Sequence, residues 1–133
     1  MVFRITPNKV LNGRIDHIDI GRETVVEIID CKGLMELPCW PNVTTITCSN
    51  CPGLVTLPCW PNVKEVHCVY CPGLVALPCW TNLLYIYCYN CPSLVSLPCW
   101  PNVTYVNIRY CKSLTELPNW PNIQNVYCVY CIS

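Results

Sequence analysis

Val43-Thr44-Thr45-Ile46-Thr47-Cys48-Ser49-Asn50-Cys51-Pro52-Gly53-Leu54-Val55-Thr56-Leu57-Pro58-Cys59-Trp60-Pro61-Asn62 decides how this chain folds, because nearly the same words return every 20 residues. Trp40, Trp60, Trp80, Trp100 and Trp120 fall at one spacing. Leu37, Leu57, Leu77, Leu97 and Leu117 do the same, each followed by proline. A fixed period of this length marks a solenoid, in which each unit buries its apolar face only against its neighbours. Within the unit, Ile46-x-Cys48 alternates with period two, as a strand with one buried face does. Cys51-Pro52-Gly53 and Leu57-Pro58-Cys59-Trp60-Pro61 then punctuate turns. Proline cannot donate to a ladder, so the return stretch cannot become a second long central strand. One short strand and a tight return fill the unit, and a full helix does not fit.

In-frame units begin at Glu23, Val43, Val63, Leu83 and Val103, and a partial unit runs from Ile123 to Cys131. Residues 1–22 are out of frame yet carry Val10, Ile15, Ile18 and Ile20, which predicts a strand-bearing N-terminal cap. The expected organisation is therefore a cap over 1–22 and a repeat array over 23–133, with five full units and a final partial one.

Val43, Ile46 and Cys48 match the first three leucine slots of L-x-x-L-x-L-x-x-N/C-x-L, and Cys51 matches its Asn/Cys slot. Over residues 23–131 the chain thus resembles the leucine-rich repeat family. It is most similar to the short subtype with L-P-x-L-P returns, seen in secreted bacterial effectors. Cysteine- and tryptophan-rich versions also resemble viral proteins, those of large DNA viruses of amoebae. The resemblance implies a repeat solenoid with short parallel β-strands on the concave face and non-helical or 3-10 returns. Departures are Leu54, three residues after Cys51, and Trp60 in place of a leucine. No ubiquitin-ligase domain of the kind found after some bacterial arrays is present in the sequence, so that activity is not carried over.

Composition narrows the function. Eight Lys and Arg balance eight Asp and Glu, so the basic face that nucleic-acid phosphates require is not expected. No apolar run approaches the roughly 20 residues needed to span a bilayer, so no membrane partner is expected. Met1 to Lys9 has no apolar core of a signal peptide, which points to a cytoplasmic protein. Fourteen cysteines pull the other way, since that density in a secreted chain means a disulfide scaffold. Here they follow the repeat instead, and reduced thiols are the expectation.

The cysteines form three columns. Cys48, Cys68, Cys88 and Cys128 share a slot filled by Ile108 in the fifth unit, so this column reads as core. Cys31, Cys51, Cys71, Cys91, Cys111 and Cys131 fill the turn slot after the strand and, by the family pattern, face inward. Together the two columns repeat Cys-x-x-Cys at zinc-ribbon spacing. Extended residues span roughly 3.3 to 3.6 Å each, however, so the two α-carbons are expected about 10 Å apart, too far for a zinc knuckle. Ile108 also breaks the ligand set, so packing is preferred, with no metal and no cofactor. The third column, Cys39, Cys59, Cys79 and Cys99, sits where the family has a variable residue, and Asn119 continues it. Its two readings are partly buried packing, or a soft-metal or oxidation-sensitive ladder.

The tryptophans align with inward leucines and read as scaffold. All eight tyrosines lie on strand positions that alternate away from the core, or just beyond them. Tyr85, Tyr87 and Tyr89 line one strand, and Tyr105 and Tyr127 stand on the next two. Tyr70, Tyr110 and Tyr130 occupy the slot before the turn cysteine. Tyrosine joins a large apolar face to a hydroxyl at low entropic cost, which suits recognition. Cross-strand stabilisation of an exposed sheet would also account for them, but their concentration in the C-terminal half favours a binding patch. His67, Arg109, Glu65 and Asn107 are expected as polar neighbours.

No nucleophile elbow, phosphate loop or carboxylate pair with clear roles is written in the chain, and an enzyme is not expected. The leading expectation is a non-catalytic protein-interaction module whose partner binds Tyr85, Tyr87, Tyr89, Tyr105, Tyr127, His67 and Arg109. The alternative is a soft-metal-binding or redox-sensing protein. The last strand has no polar cap after it, which predicts a homodimer joined through the C-terminal repeats.

Overall fold

The structure, a computed structural model, describes residues 1–131. Seven strands lie side by side in chain order: β1 (Val2–Ile5), β2 (Val25–Ile29), β3 (Thr45–Ser49), β4 (Glu65–Val69), β5 (Tyr85–Tyr89), β6 (Tyr105–Arg109) and β7 (Asn125–Val129). Every pairing is parallel. The chain is therefore a parallel β-solenoid of about six turns. From β2 onward the register advances by the sequence period, Ile46 opposite Val66, then Ile86, Val106 and Val126. The returns carry turns and extended chain, and the only helical element among the described residues is the 3-10 turn Pro7–Lys9.

The first turn differs. Val2 pairs with Val25, a longer step than the 20-residue repeat. The cap's strand is thus at Val2–Ile5, ahead of the four residues that signalled the cap. Of those, Ile15 and Ile20 are buried with Ile5, while Val10 and Ile18 pack partly against the same core.

Two inward positions per strand, such as Ile46 and Cys48, alternate with half-exposed ones. Behind them stand the tryptophans, with Trp60, Trp80 and Trp100 fully buried. A leucine could fill that volume, but tryptophan also solves a backbone problem. The proline returns leave carbonyls without ladder partners, and the indoles from Trp60 to Trp120 each reach back one coil to one of them. Trp60 Nε1 donates to the Pro38 carbonyl at 2.9 Å, Trp80 to Pro58 at 2.9 Å and Trp100 to Pro78 at 2.8 Å. The Pro58 carbonyl also accepts the backbone N–H of Trp60 at 3.1 Å, so both its lone pairs are used. Asn62, Asn82, Asn102 and Asn122 make equivalent backward bonds, as from Asn82 Nδ2 to the Pro61 carbonyl at 3.0 Å.

Successive indoles are nearly parallel, with centroids 6.0–6.3 Å apart and planes rotated by 5–12°. Strands in a sheet sit about 4.7–4.9 Å apart. At the indoles the coil step is thus longer than the usual strand spacing, while elsewhere on the return neighbouring coils still hydrogen-bond, as from the Val75 N–H to the Val55 carbonyl at 2.9 Å.

A left-handed residue ends every strand from β2 on. Asp30, Asn50, Tyr70, Asn90, Tyr110 and Tyr130 have φ of 54–56°. This overturns the expectation that Cys-x-x-Cys stays extended, because the left-handed residue curls the chain back. Cys128 and Cys131 have α-carbons only 6.2 Å apart and are joined by a disulfide. The expectation of reduced inward thiols fails at that pair. The other inward cysteines, Cys31, Cys48, Cys51, Cys68, Cys71, Cys88, Cys91 and Cys111, are free and buried.

At the far end, β7 pairs with β6 on one side only. Val126 is 42% exposed there, whereas Val106 and Ile86 in the same slot are fully buried.

Candidate interaction surface

The outward positions of β4 to β7 gather aromatic rings into two connected rows. Tyr85, Tyr105 and Tyr127 follow one another across three strands, with centroids 5.4 and 5.7 Å apart. Tyr70, Tyr89, Tyr110 and Tyr130 form the second row at 5.4, 5.5 and 5.3 Å. Tyr87 lies between His67 at 5.9 Å and Tyr89 at 6.4 Å. The ring spacing is that of edge-to-face and offset pairs. A hydrogen bond with Tyr70 also pushes the Tyr89 phenol above its usual value.

Tyr85, Tyr87, Tyr89, Tyr105, Tyr127, His67 and Arg109 all lie on outward positions of the one sheet. Tyr70, Tyr110 and Tyr130 join them, though reading the strand alternation alone leaves them out. Their signal is in the column: Asp30, Asn50 and Asn90 mark a left-handed position, and tyrosine is out of place there. Asn107 is a polar neighbour of the tyrosines as expected, but from beneath them. It is buried, donating to the Tyr105 hydroxyl at 3.2 Å and accepting from Arg109 Nε at 3.0 Å, and so fixes both side chains. His67 faces Glu65, with Nε2 and Oε1 3.2 Å apart.

Elsewhere the chemistry is quiet. Each free turn cysteine aims its thiol at a backbone carbonyl of the preceding strand, Cys71 at Cys48 and Cys91 at Cys68, both 3.6 Å. Burial pushes Cys51 up to about 11 and Cys71 up to about 12. Burial also raises Cys31 and Cys48. Protonated, enclosed thiols are poor nucleophiles and poor ligands. Among the described residues, no group of three or more His, Cys, Asp or Glu side chains is placed to hold a metal ion. No helix among them is long and apolar enough to cross a membrane. An open groove of about 450 Å³ runs beside the sheet past Lys64, Asn82, Asn102, Thr104, Asn122 and Gln124. Its asparagine amides already donate to the coil before.

No protein-family model matches this chain, and neither the curated proteins nor the solved structures contain a significant match.

Proposed function

We propose that this chain is a non-catalytic protein-interaction module of the leucine-rich repeat kind, working in the cytoplasm and binding a protein partner on the tyrosine face of its sheet. The observation that carries this reading is the left-handed column. A non-glycine residue in a sparsely populated backbone region costs of the order of 1–3 kcal/mol, least for Asn and Asp. Asn50 and Asn90 meet the demand cheaply, yet Tyr70, Tyr110 and Tyr130 stand at the same φ. Contacts within the row return about 0.5–1.5 kcal/mol per aromatic pair, but asparagine would have needed no return. The rings thus carry backbone strain for a surface that the turn itself does not require. They are also 47%, 38% and 72% exposed, which leaves their faces free for a partner.

A contiguous, rimmed apolar surface of this sort is where partners dock, and tyrosine is among the residues that concentrate binding energy. The exposure of Val126 on β7 supports a second element of the proposal, a homodimer joined end to end through the C-terminal repeats. Paired proteins decide the first element. Partner capture should fall sharply for Tyr87→Ala and for Tyr110→Asn. The melting temperature should stay nearly unchanged for the first and stay level or rise for the second, which relieves a strained position. Variants that bind normally but unfold early would reduce the tyrosines to sheet stabilisers.

A further inference from the structure

Twelve cysteines are free, and they divide sharply: eight are buried and four, Cys39, Cys59, Cys79 and Cys99, are exposed. The exposed four occupy consecutive coils, each directly before a tryptophan of the stack, and Asn119 closes the row. Nothing in the packing requires a thiol there, as Asn119 in the same slot demonstrates.

The spacing of the row is what gives it a chemistry. The adjoining tryptophans step by 6.0–6.3 Å per coil. Side chains that leave stacked coils in the same direction keep their β-carbons at about the coil step. A disulfide needs β-carbons roughly 3.5–4.5 Å apart, so neighbours on this row cannot oxidise to one without the coils closing up. A sulfur–metal–sulfur bridge is longer. Two metal–thiolate bonds of roughly 2.3 Å laid end to end separate the sulfurs by about 4.6 Å, and side-chain rotation towards one another supplies that distance. Two of the thiols reach along the stack: Cys39 Sγ is 3.7 Å from the Cys59 carbonyl, and Cys99 Sγ is 3.5 Å from that of Asn119, so Cys99 must rotate back to meet Cys79. A single straight row presents two sulfurs to any one gap, and no third ligand converges, which disfavours tetrahedral zinc. Soft ions select thiolates, and an ion content with two ligands suits such a gap.

We propose that the exposed row is a binding site for soft monovalent cations of the copper(I) or silver(I) class, each ion held between the sulfurs of adjacent coils. Each ion displaces one proton from each of two thiols, and no electrons move. With every sulfur used once, the row takes two ions per chain.

Silver(I) is the probe, because it needs no reductant. The native protein should show four maleimide-reactive thiols. Two equivalents of silver should protect all four while leaving the far-ultraviolet circular dichroism unchanged. Two double variants then separate spacing from thiol count. Cys79→Ser with Cys99→Ser keeps the adjacent pair Cys39 and Cys59, and should hold one ion per chain. Cys59→Ser with Cys99→Ser keeps two thiols two coils apart, and should bind about 100-fold more weakly, the loss expected when two ligands cannot act on one ion. Equal affinity of the two variants would overturn the proposal. So would undiminished maleimide labelling of the silver-treated native protein, or a loss of its circular dichroism signal showing that silver strips the buried thiols instead.

Discussion

Replacing Trp80 with alanine tests the packing of the whole stack at its centre. The side chain is fully buried, and a large aromatic of this kind removes about 150–250 Å² from water. At roughly 25 cal/mol per Å² that is about 4–6 kcal/mol of transfer free energy, an upper figure because the unfolded chain already hides part of it. The ring also stacks on Trp60 at 6.0 Å and Trp100 at 6.3 Å, so truncation opens a gap between two rigid neighbours. One cost is avoided: the Pro58 carbonyl loses the indole donor but keeps the Trp60 N–H. The expected loss is therefore about 3–5 kcal/mol, the usual range for deleting a buried aromatic. Trp80→Phe retains most of the area and loses the indole hydrogen bond, worth about 1 kcal/mol. Trp120→Ala should cost less than Trp80→Ala, since Trp120 is slightly exposed and stacks on Trp100 alone. Guanidinium melts followed by circular dichroism measure all three. A loss below about 1 kcal/mol for Trp80→Ala, well under that range, would refute the view of the indoles as core.

Cys68→Val should be mild, costing under about 1.5 kcal/mol, because it roughly conserves volume in an apolar slot; a large loss in the same melts would assign the thiol a bonding role. Stability should fall in alkali. The folded chain holds Cys51 and Cys71 up to about 11 and about 12, while the unfolded chain releases those protons near the ordinary thiol value of 9.0. The contribution is thus complete below that value and is lost as pH climbs towards the raised ones, at about 1.4 kcal/mol per pH unit for each such thiol. A melting temperature that stays flat through that window would show the thiols are not enclosed. For the end-to-end homodimer, light scattering at high micromolar concentration should give twice the chain mass, and Val129→Lys on β7 should return it to monomer. A monomeric native chain, or a dimer indifferent to that charge, would remove this part of the proposal.

The period made most of the architecture legible. Ile46 and Cys48 give the strand, the prolines exclude a helix, and Ile108 in a cysteine column marks that column as apolar. What stayed hidden was local backbone geometry, which hydrophobic alternation does not encode. The left-handed geometry is not legible there, and with it the tight Cys128–Cys131 approach; Tyr70, Tyr110 and Tyr130 read as one column before the turn cysteine, but not as part of the binding set. β1 was not located because its register with β2 departs from the period that reveals the other strands. Asn107 looked like one more outward polar side chain. Only the flanking Tyr105 and Arg109, which cover it, explain its burial.

The indole and asparagine contacts point the same way, from a coil to the one before it, and each free turn thiol makes one contact in that direction too. During synthesis, the carbonyls that a new coil needs have already left the ribosome when its own donors emerge. Each coil's indole and amide donors therefore find their acceptors in chain already made, whichever repeat nucleates first. The same polarity makes a whole unit a repeatable module, carrying its own indole and amide donors and offering carbonyls to those of the next. Duplication or loss of a 20-residue unit then lengthens or shortens the tyrosine-bearing face without orphaning an indole, amide or thiol inside the stack.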